Sequence, residues 1–417
     1  MSTAPERVGQ GLPAMFGGRP MFEDGLAFAR PAVPAPDVVM DGVRAILDSR
    51  MLTNAGHVRE LERAASDYLG VRHCIAVSSC TAGLMLVLRA ADLSGDVVLP
   101  SFTFAATAHA VAWNGLLPMF ADVDPATLTL SPEEARAVIG VRTSAILATH
   151  TFGTPCDVEG LEAVAYPKGI RLFFDAAHGF GSMHRGKHVG CYGDAEVFSL
   201  SPTKVLVAGE GGIIATNDDL LAERCRIGRD YANPGDYDSR FVGLNARMSE
   251  FHALIALHSL EALDAHVARR NDLATRYKEG LREVPGVSFP ALPAGDRSTY
   301  KDFTILVDAD RFGMGAERLA SALAAEGVAT KRYYVPPVHK QRAYRSGAGA
   351  TRRLPVTDEI SGRVLTLPMW SEMSDEHVAS VCAAIARIQR YASRRWAAPS
   401  EGAASTAIPA GPMASIE

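Results

Sequence analysis

The sequence predicts an α/β protein, with a mostly parallel sheet covered by helices on both faces and a smaller second domain behind it. Three observations carry this. From residue 73 onward short β-branched runs alternate with helical runs, and each apolar run is nearly continuous, as strands buried on both faces require. The 417 residues exceed the size at which a single core stops growing. A long helical stretch at 249–284, SEFHALIALHSLEALDAHVARRNDLATRYKEGLREV, supplies a bridge between domains, as one helix or as a broken pair.

The elements follow in order. A Gly/Pro-rich lead covers 1–36, and apolar residues at three-to-four spacing then predict helices in VVMDGVRAILDSR and HVRELERAASDYLG. The strand and helix pairs are HCIAVSS with TAGLMLVLRAAD, VVLPSF with TAHAVAWNG, LPMFADV with SPEEARAVIG, and SAILATHTFG with VEGLEAVAYPKG. IRLFFDAA, AEVFSLS and GGIIATN complete the sheet, so the large domain spans 37–275. The small domain, 276–396, takes KDFTILVD, a helix at AERLASALAAEG, a strand near VATKRYYV and a last helix at DEHVASVCAAIARIQRYASRRW. Residues 397–417 are Ala/Ser/Pro/Gly-rich without a period, which predicts a disordered tail.

Composition narrows the function. The net charge is −5 with both signs scattered and no Lys/Arg block, which argues against nucleic-acid or membrane-surface partners. Six cysteines without a CxxC pair read as free thiols in a reducing compartment. The N-terminus lacks an apolar signal core, and the apolar stretch at 97–120 is broken by Pro100, His109, Asn114 and Pro118. A cytoplasmic enzyme is the expectation.

Ligands of such sheets bind at the carboxyl ends of strands, so the motifs there come first. In IRLFFDAAHGFGS, Asp175 closes an apolar strand and His178 follows three residues later. The aspartate either starts a turn or holds a carboxylate at the sheet edge for a cationic heterocycle. In VSSCTAGL, Ser78, Ser79, Thr81 and the backbone around Ala82 sit at a helix start, where a cap and an anion site use the same atoms. In PSFTFAATAHAV, Phe102 and Phe104 share a face if the segment is extended, either as core or as a cover for a flat ligand.

FSLSPTKVLVAGEGGIIATND places Lys204 29 residues after Asp175, with Ser199 and Ser201 before it and a glycine-rich turn after it. Alone it reads as a loop cation. A nucleophilic lysine needs its pKa lowered by desolvation or neighbouring cations, and the VLVA flank suits that. GEGG is not a phosphate loop, because no GK[ST] follows. HRGKH at 184–188 reads as a hairpin rather than a pair of ligands, and no metal site is expected. GLNARMSE offers Asn245 and Arg247, and YYVPPVH ends in His339.

Taken in chain order, LTNAGHVRELE, VSSCTAGL, PSFTFAATAHAV, FADVDPATLTL, FFDAAHGFG, FSLSPTKVLVAGEGGIIATND, GLNARMSEFHALIAL, YYVPPVH and VLTLPMW resemble the DegT/DnrJ/StrS-type pyridoxal-phosphate-dependent sugar aminotransferases. The likeness covers about residues 25 to 390. It implies the aspartate-aminotransferase-like fold, fold type I, with a mostly parallel seven-stranded sheet in the large domain and a smaller C-terminal α+β domain. It also implies a homodimer with shared sites. Lys204 would form the Schiff base with pyridoxal 5'-phosphate and Asp175 would pair with the ring nitrogen. His178 would lie on the ring hydroxyl side and Phe104 on the ring face. Thr81, Ala82 and Ser199 would hold the phosphate, joined by Asn245 of the other subunit.

The implied reaction is a ping-pong transfer from glutamate or glutamine, by way of pyridoxamine phosphate, to a keto-sugar, with Lys204 moving the proton as base and acid. His339, Arg247 and Lys331 are the residues available to reach a diphosphate or a sugar hydroxyl. Cys80 and Gly83 depart from the residues of many relatives, without removing backbone donors. Retention of Lys204 favours transamination over the family's dehydratase branch, and the SPTKVLVAGEGG form, unlike the FYPxKNLG form common in 3-amino-sugar enzymes, favours a 4-keto-6-deoxyhexose acceptor; the resemblance implies a nucleotide-linked one such as dTDP-4-keto-6-deoxyhexose, in amino-sugar or antibiotic biosynthesis. A keto-cyclitol such as scyllo-inosose is the alternative acceptor, and a non-catalytic regulatory protein of this fold the alternative class.

Overall fold

The computed structural model describes residues 11–396. The sequence-predicted tail at 397–417 and the first ten residues of the lead lie outside them.

Two helices, α1 (Pro36–Ser49) and α2 (Gly56–Leu69), precede the sheet. Nine strands follow in the large domain: β1 (His73–Val77), β2 (Asp96–Pro100), β3 (Leu117–Ala121), β4 (Thr143–Thr149), β5 (Arg171–Asp175), β6 (Met183–His184), β7 (Lys187–His188), β8 (Ala195–Ser199) and β9 (Gly212–Thr216). Seven of them form one sheet in the order β1-β9-β8-β5-β4-β2-β3. Only β9 runs against its neighbours, so the sheet is mostly parallel, as expected. Crossover helices cover it: α3 (Cys80–Ala90), α4 (Ala105–Trp113), α5 (Pro132–Val138), α6 (Val158–Ala165) and α7 (Asp219–Gly228). Strands buried on both faces explain the unbroken apolar runs of the sequence. HRGKH is the β6–β7 hairpin, with Arg185 and Gly186 both at positive φ as a tight hairpin turn requires.

The bridge is a broken pair, α8 (Glu250–Glu261) and α9 (Leu263–Leu281), parted at Ala262. Beyond it, β10 (Val287–Ser288), β11 (Phe303–Val307) and β12 (Val364–Leu367) form an antiparallel sheet. Helices α10 (Ala309–Phe312), α11 (Ala316–Ala325), α12 (Pro355–Arg363) and α13 (Asp375–Trp396) complete the chain. A separate apolar core gathers Leu273, Tyr277, Phe303, Ile305, Leu319, Leu365 and Ile385 there. Among the described residues no helix is long and apolar enough to cross a membrane. All six cysteines are free thiols.

One expectation needs correcting. The strand near VATKRYYV does not form. Only isolated bridges remain, Val328 to Leu26 and Lys331 to Thr366, because Pro336 and Pro337 cannot donate to a ladder and the chain turns away at them. Within the lead, Leu26 exchanges backbone hydrogen bonds with Gly327 and Ala329 and its side chain enters the small core.

Candidate active site

Register brings four strand ends together. Thr149 of β4 lies opposite Asp175 of β5, and Asp175 lies opposite Val197 of β8. Ser199 of β8 and Val77 of β1 both lie opposite Gly212 of β9. The chain leaving β1 enters α3 directly, so the start of that helix stands beside Ser199. A Cβ on Gly212 would sit 2.7 Å from the Cys80 amide nitrogen, so this approach requires glycine. Gly83 serves the next turn in the same way, since a Cβ there would meet Val197 Cγ1 at 2.7 Å.

Asp175 is buried and held from two sides. Thr107 Oγ1 donates to Oδ2 at 2.6 Å, and the Ala177 amide donates to Oδ1 at 3.1 Å. Thr107 is linked to Thr103 at 2.8 Å and Thr103 to Thr149 at 3.1 Å. Because Thr107 spends its proton on the carboxylate, the other two hydroxyls must point the same way. The chain therefore donates toward Asp175 throughout. Burial raises the carboxyl above its ordinary value, opposed by the Thr107 and Ala177 hydrogen bonds and by the Lys204 and His150 charges. A cation beside it would favour the ionised form.

Lys204 lies in the turn after β8, where its amide donates to the Ser201 carbonyl at 3.0 Å. Val205, Leu206, Val207 and Ala208, which follow it, are all buried. Burial, then the charge of Lys301, lowers the amine to about 8, while Asp302, Cys80 and Asp175 pull the other way. That value brings a nucleophilic amine within reach of neutral pH. Gly209 and Gly211, at φ of +88° and +152°, turn the chain back into β9, so GEGG is turn chemistry.

His178 is neutral: burial and the charges of Lys204 and Lys301 push its ring well below the ordinary value. Its Nδ1 is buried without a partner among the described residues, and its carbonyl accepts from Thr299 Oγ1 at 2.6 Å. Ser79 caps α3 by accepting from the Ala82 amide at 3.1 Å. Thr81 stands half-buried beside it in the first helical turn. Ser199 is buried, 3.3 Å from Ser201 Oγ.

The outer candidates separate. Phe102 and Phe104 do not share a face. The segment bends into α4, so Phe102 is fully buried against Phe152 and Tyr334, while Phe104, in the cap position, is 62% exposed. Asn245 is exposed and forms a bridge with Asp230. Arg247 is bound to Asp230 at 2.8 Å and lies over the Tyr231 ring. His339 is buried and occupied, with Ser101 Oγ at 2.6 Å from Nδ1 and Asp358 at 3.2 Å from Nε2. That ring fastens the 338–340 turn to the end of β2. Lys331 is exposed and its backbone pairs with Thr366.

Sequence reasoning missed Thr107, Lys301 and Asp302. Thr107 was hidden because its partner lies on another crossover. The KD pair heading the apolar run FTILV was the available signal for the other two, since two charges directly before a buried strand are costly unless paired.

The family model of the DegT/DnrJ/EryC1/StrS aminotransferase family matches residues 37–386. The chain belongs to this family. It is 34% identical over 357 residues to the UDP-N-acetyl-3-dehydro-α-D-glucosamine 3-aminotransferase of Acidithiobacillus ferrooxidans, covering 85% of this chain and 94% of the relative. It is 32% identical to the UDP-2-acetamido-2-deoxy-3-oxo-D-glucuronate aminotransferase of Pseudomonas aeruginosa, covering 84% and 95%. Among solved structures, DesI determined in the presence of its TDP-sugar product shares 36% identity and a TM-score of 0.86, over 92% of this chain and 98% of DesI. The protein is an aminotransferase that uses pyridoxal phosphate.

The aminotransferase's own residues fit that group. Pyridoxal phosphate needs an amine for its aldehyde, a carboxylate for its ring nitrogen and unpaired donors for its phosphate. Lys204 would supply the first, Asp175 the second, and the start of α3 beside Ser199 the third. The unpartnered Nδ1 of His178 is a further buried polar atom with a place for a ligand partner. When bound, the cofactor supplies an electron-accepting ring.

Proposed function

We propose that the protein transfers the amino group of L-glutamate, or of glutamine, to a nucleotide-linked keto-sugar, with dTDP-4-keto-6-deoxyhexose as the acceptor. The observation that carries the transfer is the lowered amine of Lys204 on the strand-end platform of Asp175. An amine near pH 8 serves first as the group that holds the cofactor and then, once displaced, as the base that takes the donor's Cα proton. Asp175 holds the positive ring nitrogen, and the hydroxyl chain from Thr149 to Thr107 keeps that carboxylate oriented. Ser199, Thr81 and the Ala82 backbone, whose amide would leave Ser79 Oγ for it, are assigned to the phosphate, with Asn245 reaching it from a second copy. Phe104 is assigned to the cofactor's open face.

The likeness to DesI, which was solved with a TDP-sugar, supports a dTDP-linked acceptor, while two of the relatives carry names of UDP 3-keto substrates. A homodimer is supported by the exposed apolar residues Val38, Met40, Leu47, Met51 and Leu52, which crowd one stretch of the large domain. We place the enzyme in the cytoplasm, in amino-sugar or antibiotic biosynthesis.

The test is amino transfer from glutamate and glutamine to a panel of dTDP-4-keto, UDP-3-keto and cyclitol ketones. Turnover of dTDP-4-keto-6-deoxyhexose well above the others is expected. Turnover of the UDP-3-keto sugars alone, or of scyllo-inosose alone, overturns the acceptor.

A further inference from the structure

We propose that Lys301, seated by Asp302 and by the buried guanidinium of Arg270, receives the α-carboxylate of the amino donor. The inference rests on the aminotransferase reading of the site. It assigns a donor subsite to the segment that enters β11 from the small domain.

Lys301 is a buried ammonium, only 6% exposed, and so is costly unless it has work that water cannot do. Its Nζ donates to Asp302 Oδ1 at 2.9 Å and Oδ2 at 3.1 Å, and it lies 5.6 Å from the centre of the Tyr333 ring. An ammonium has three N–H groups. The third has no partner among the described residues.

The backbone that presents it is forced. Tyr300, the preceding residue, has φ of +43°, a conformation that non-glycine residues rarely adopt without external hold. The hold is Arg270 on α9, whose Nη1 donates to the carbonyls of Tyr300 at 3.0 Å and Lys301 at 3.2 Å, while Nε donates to Ser371 Oγ at 3.1 Å. Thr299 ties the same segment to the cofactor site through the His178 carbonyl and through Ser182 Oγ.

Charge balance then asks for an anion. Arg270 and Lys301 bring two buried cations to this neighbourhood, and Asp302 compensates one. Asp175 is reserved for the ring nitrogen. Two residues before Lys301, Thr299 Oγ1 holds the His178 carbonyl at 2.6 Å, which sets this segment beside the reacting groups rather than at the rim. In an amino acid the α-carboxylate is bonded to the carbon that gives up its proton, whereas the side-chain carboxylate of glutamate lies further away. The α-carboxylate is therefore the anion that reaches Lys301 when Cα is at Lys204. A nucleotide diphosphate, separated from the reacting ketone by a sugar ring, would lie further out.

The test uses wild-type and K301M holoenzyme, with K301Q as a second variant should K301M fail to fold. Loss of the visible absorbance band of bound pyridoxal phosphate is followed as L-glutamate is added without acceptor, and binding of dTDP is measured by calorimetry. Both variants are expected to retain the band. Half-saturation by L-glutamate should rise about thirty-fold, the scale of a lost charge-assisted hydrogen bond, with dTDP affinity within about twofold of wild type. In wild type, L-glutamic acid α-amide should be impaired to a similar degree. Weakened dTDP binding with unchanged glutamate response would mean that Lys301 serves the phosphate, and no change in either would leave it structural; both outcomes overturn the assignment. If wild type itself never responds to an amino donor, it is the aminotransferase reading that fails.

Discussion

Lys204 changes meaning between sequence and structure. As one ammonium between apolar runs it reads as a loop cation, yet in the fold it is a half-buried amine lowered to about 8 by burial and by Lys301. The sign is that of a cation disfavoured in the fold, so the reactive amine is the dominant form above pH 8 and falls about tenfold for each unit below it. Cofactor recapture by the apoenzyme should follow that fraction. Its rate is expected to rise with pH and level off above about 8, whereas an unperturbed lysine would still be gaining at pH 10. Lys204→Ala should bind the cofactor without the visible band that survives dialysis in wild type. Asp175→Asn keeps the shape but removes the charge that holds the ring nitrogen positive, and amino transfer should fall about a hundred-fold or more, measured as turnover at saturating cofactor.

Helix α3 and helix α2 show how whole elements are set in place for the site. Gly212 admits the start of α3 against β9, so Gly212→Ala should push the helix off the strand ends and weaken cofactor binding more than it weakens the fold. Comparing cofactor dissociation constants with urea midpoints checks this. Glu250, the first residue of α8, is buried and caps α2 from outside, accepting the amides of Ala55, His57 and Val58 at 2.7, 2.7 and 3.1 Å. Glu250→Ala should therefore destabilise the protein by about 3 kcal/mol, read as a lower urea midpoint.

Such elements also show what sequence could carry. Strand ends were legible because a buried parallel strand announces itself by an unbroken apolar run, and Asp175 and Ser199 sit where such runs stop. The turn role of GEGG was legible from its glycines. The faces of Phe102 and Phe104 were not, because they depend on where the chain bends into α4. Nor was the partnership of Lys301 with Arg270, which exists only once the small domain folds its β11 against α9. His339 looked like a free loop histidine for the same reason, since its partner Ser101 lies 238 residues away in the sequence.

At the scale of the whole molecule the question is whether one chain makes a complete site. Asn245 is exposed on the chain that carries it, while the phosphate cradle it is assigned to lies at the strand ends beside α3. In the proposed homodimer the exposed apolar residues of α1 and of Met51–Leu52 would pair across a two-fold axis, and each site would take Asn245 from the opposite copy. That arrangement makes a sharp prediction. Lys204→Ala homodimers lack the amine in both sites, and Asn245→Asp homodimers set a negative charge against the phosphate in both. Mixed after reversible dissociation, random pairing puts about half of the dimers in the hybrid form, and each hybrid holds one wholly wild-type site. Activity should therefore return to about a quarter of the wild-type level from two preparations that are separately inactive. If Asn245 served its own chain, every site in the hybrid would still carry one lesion and activity would stay at background.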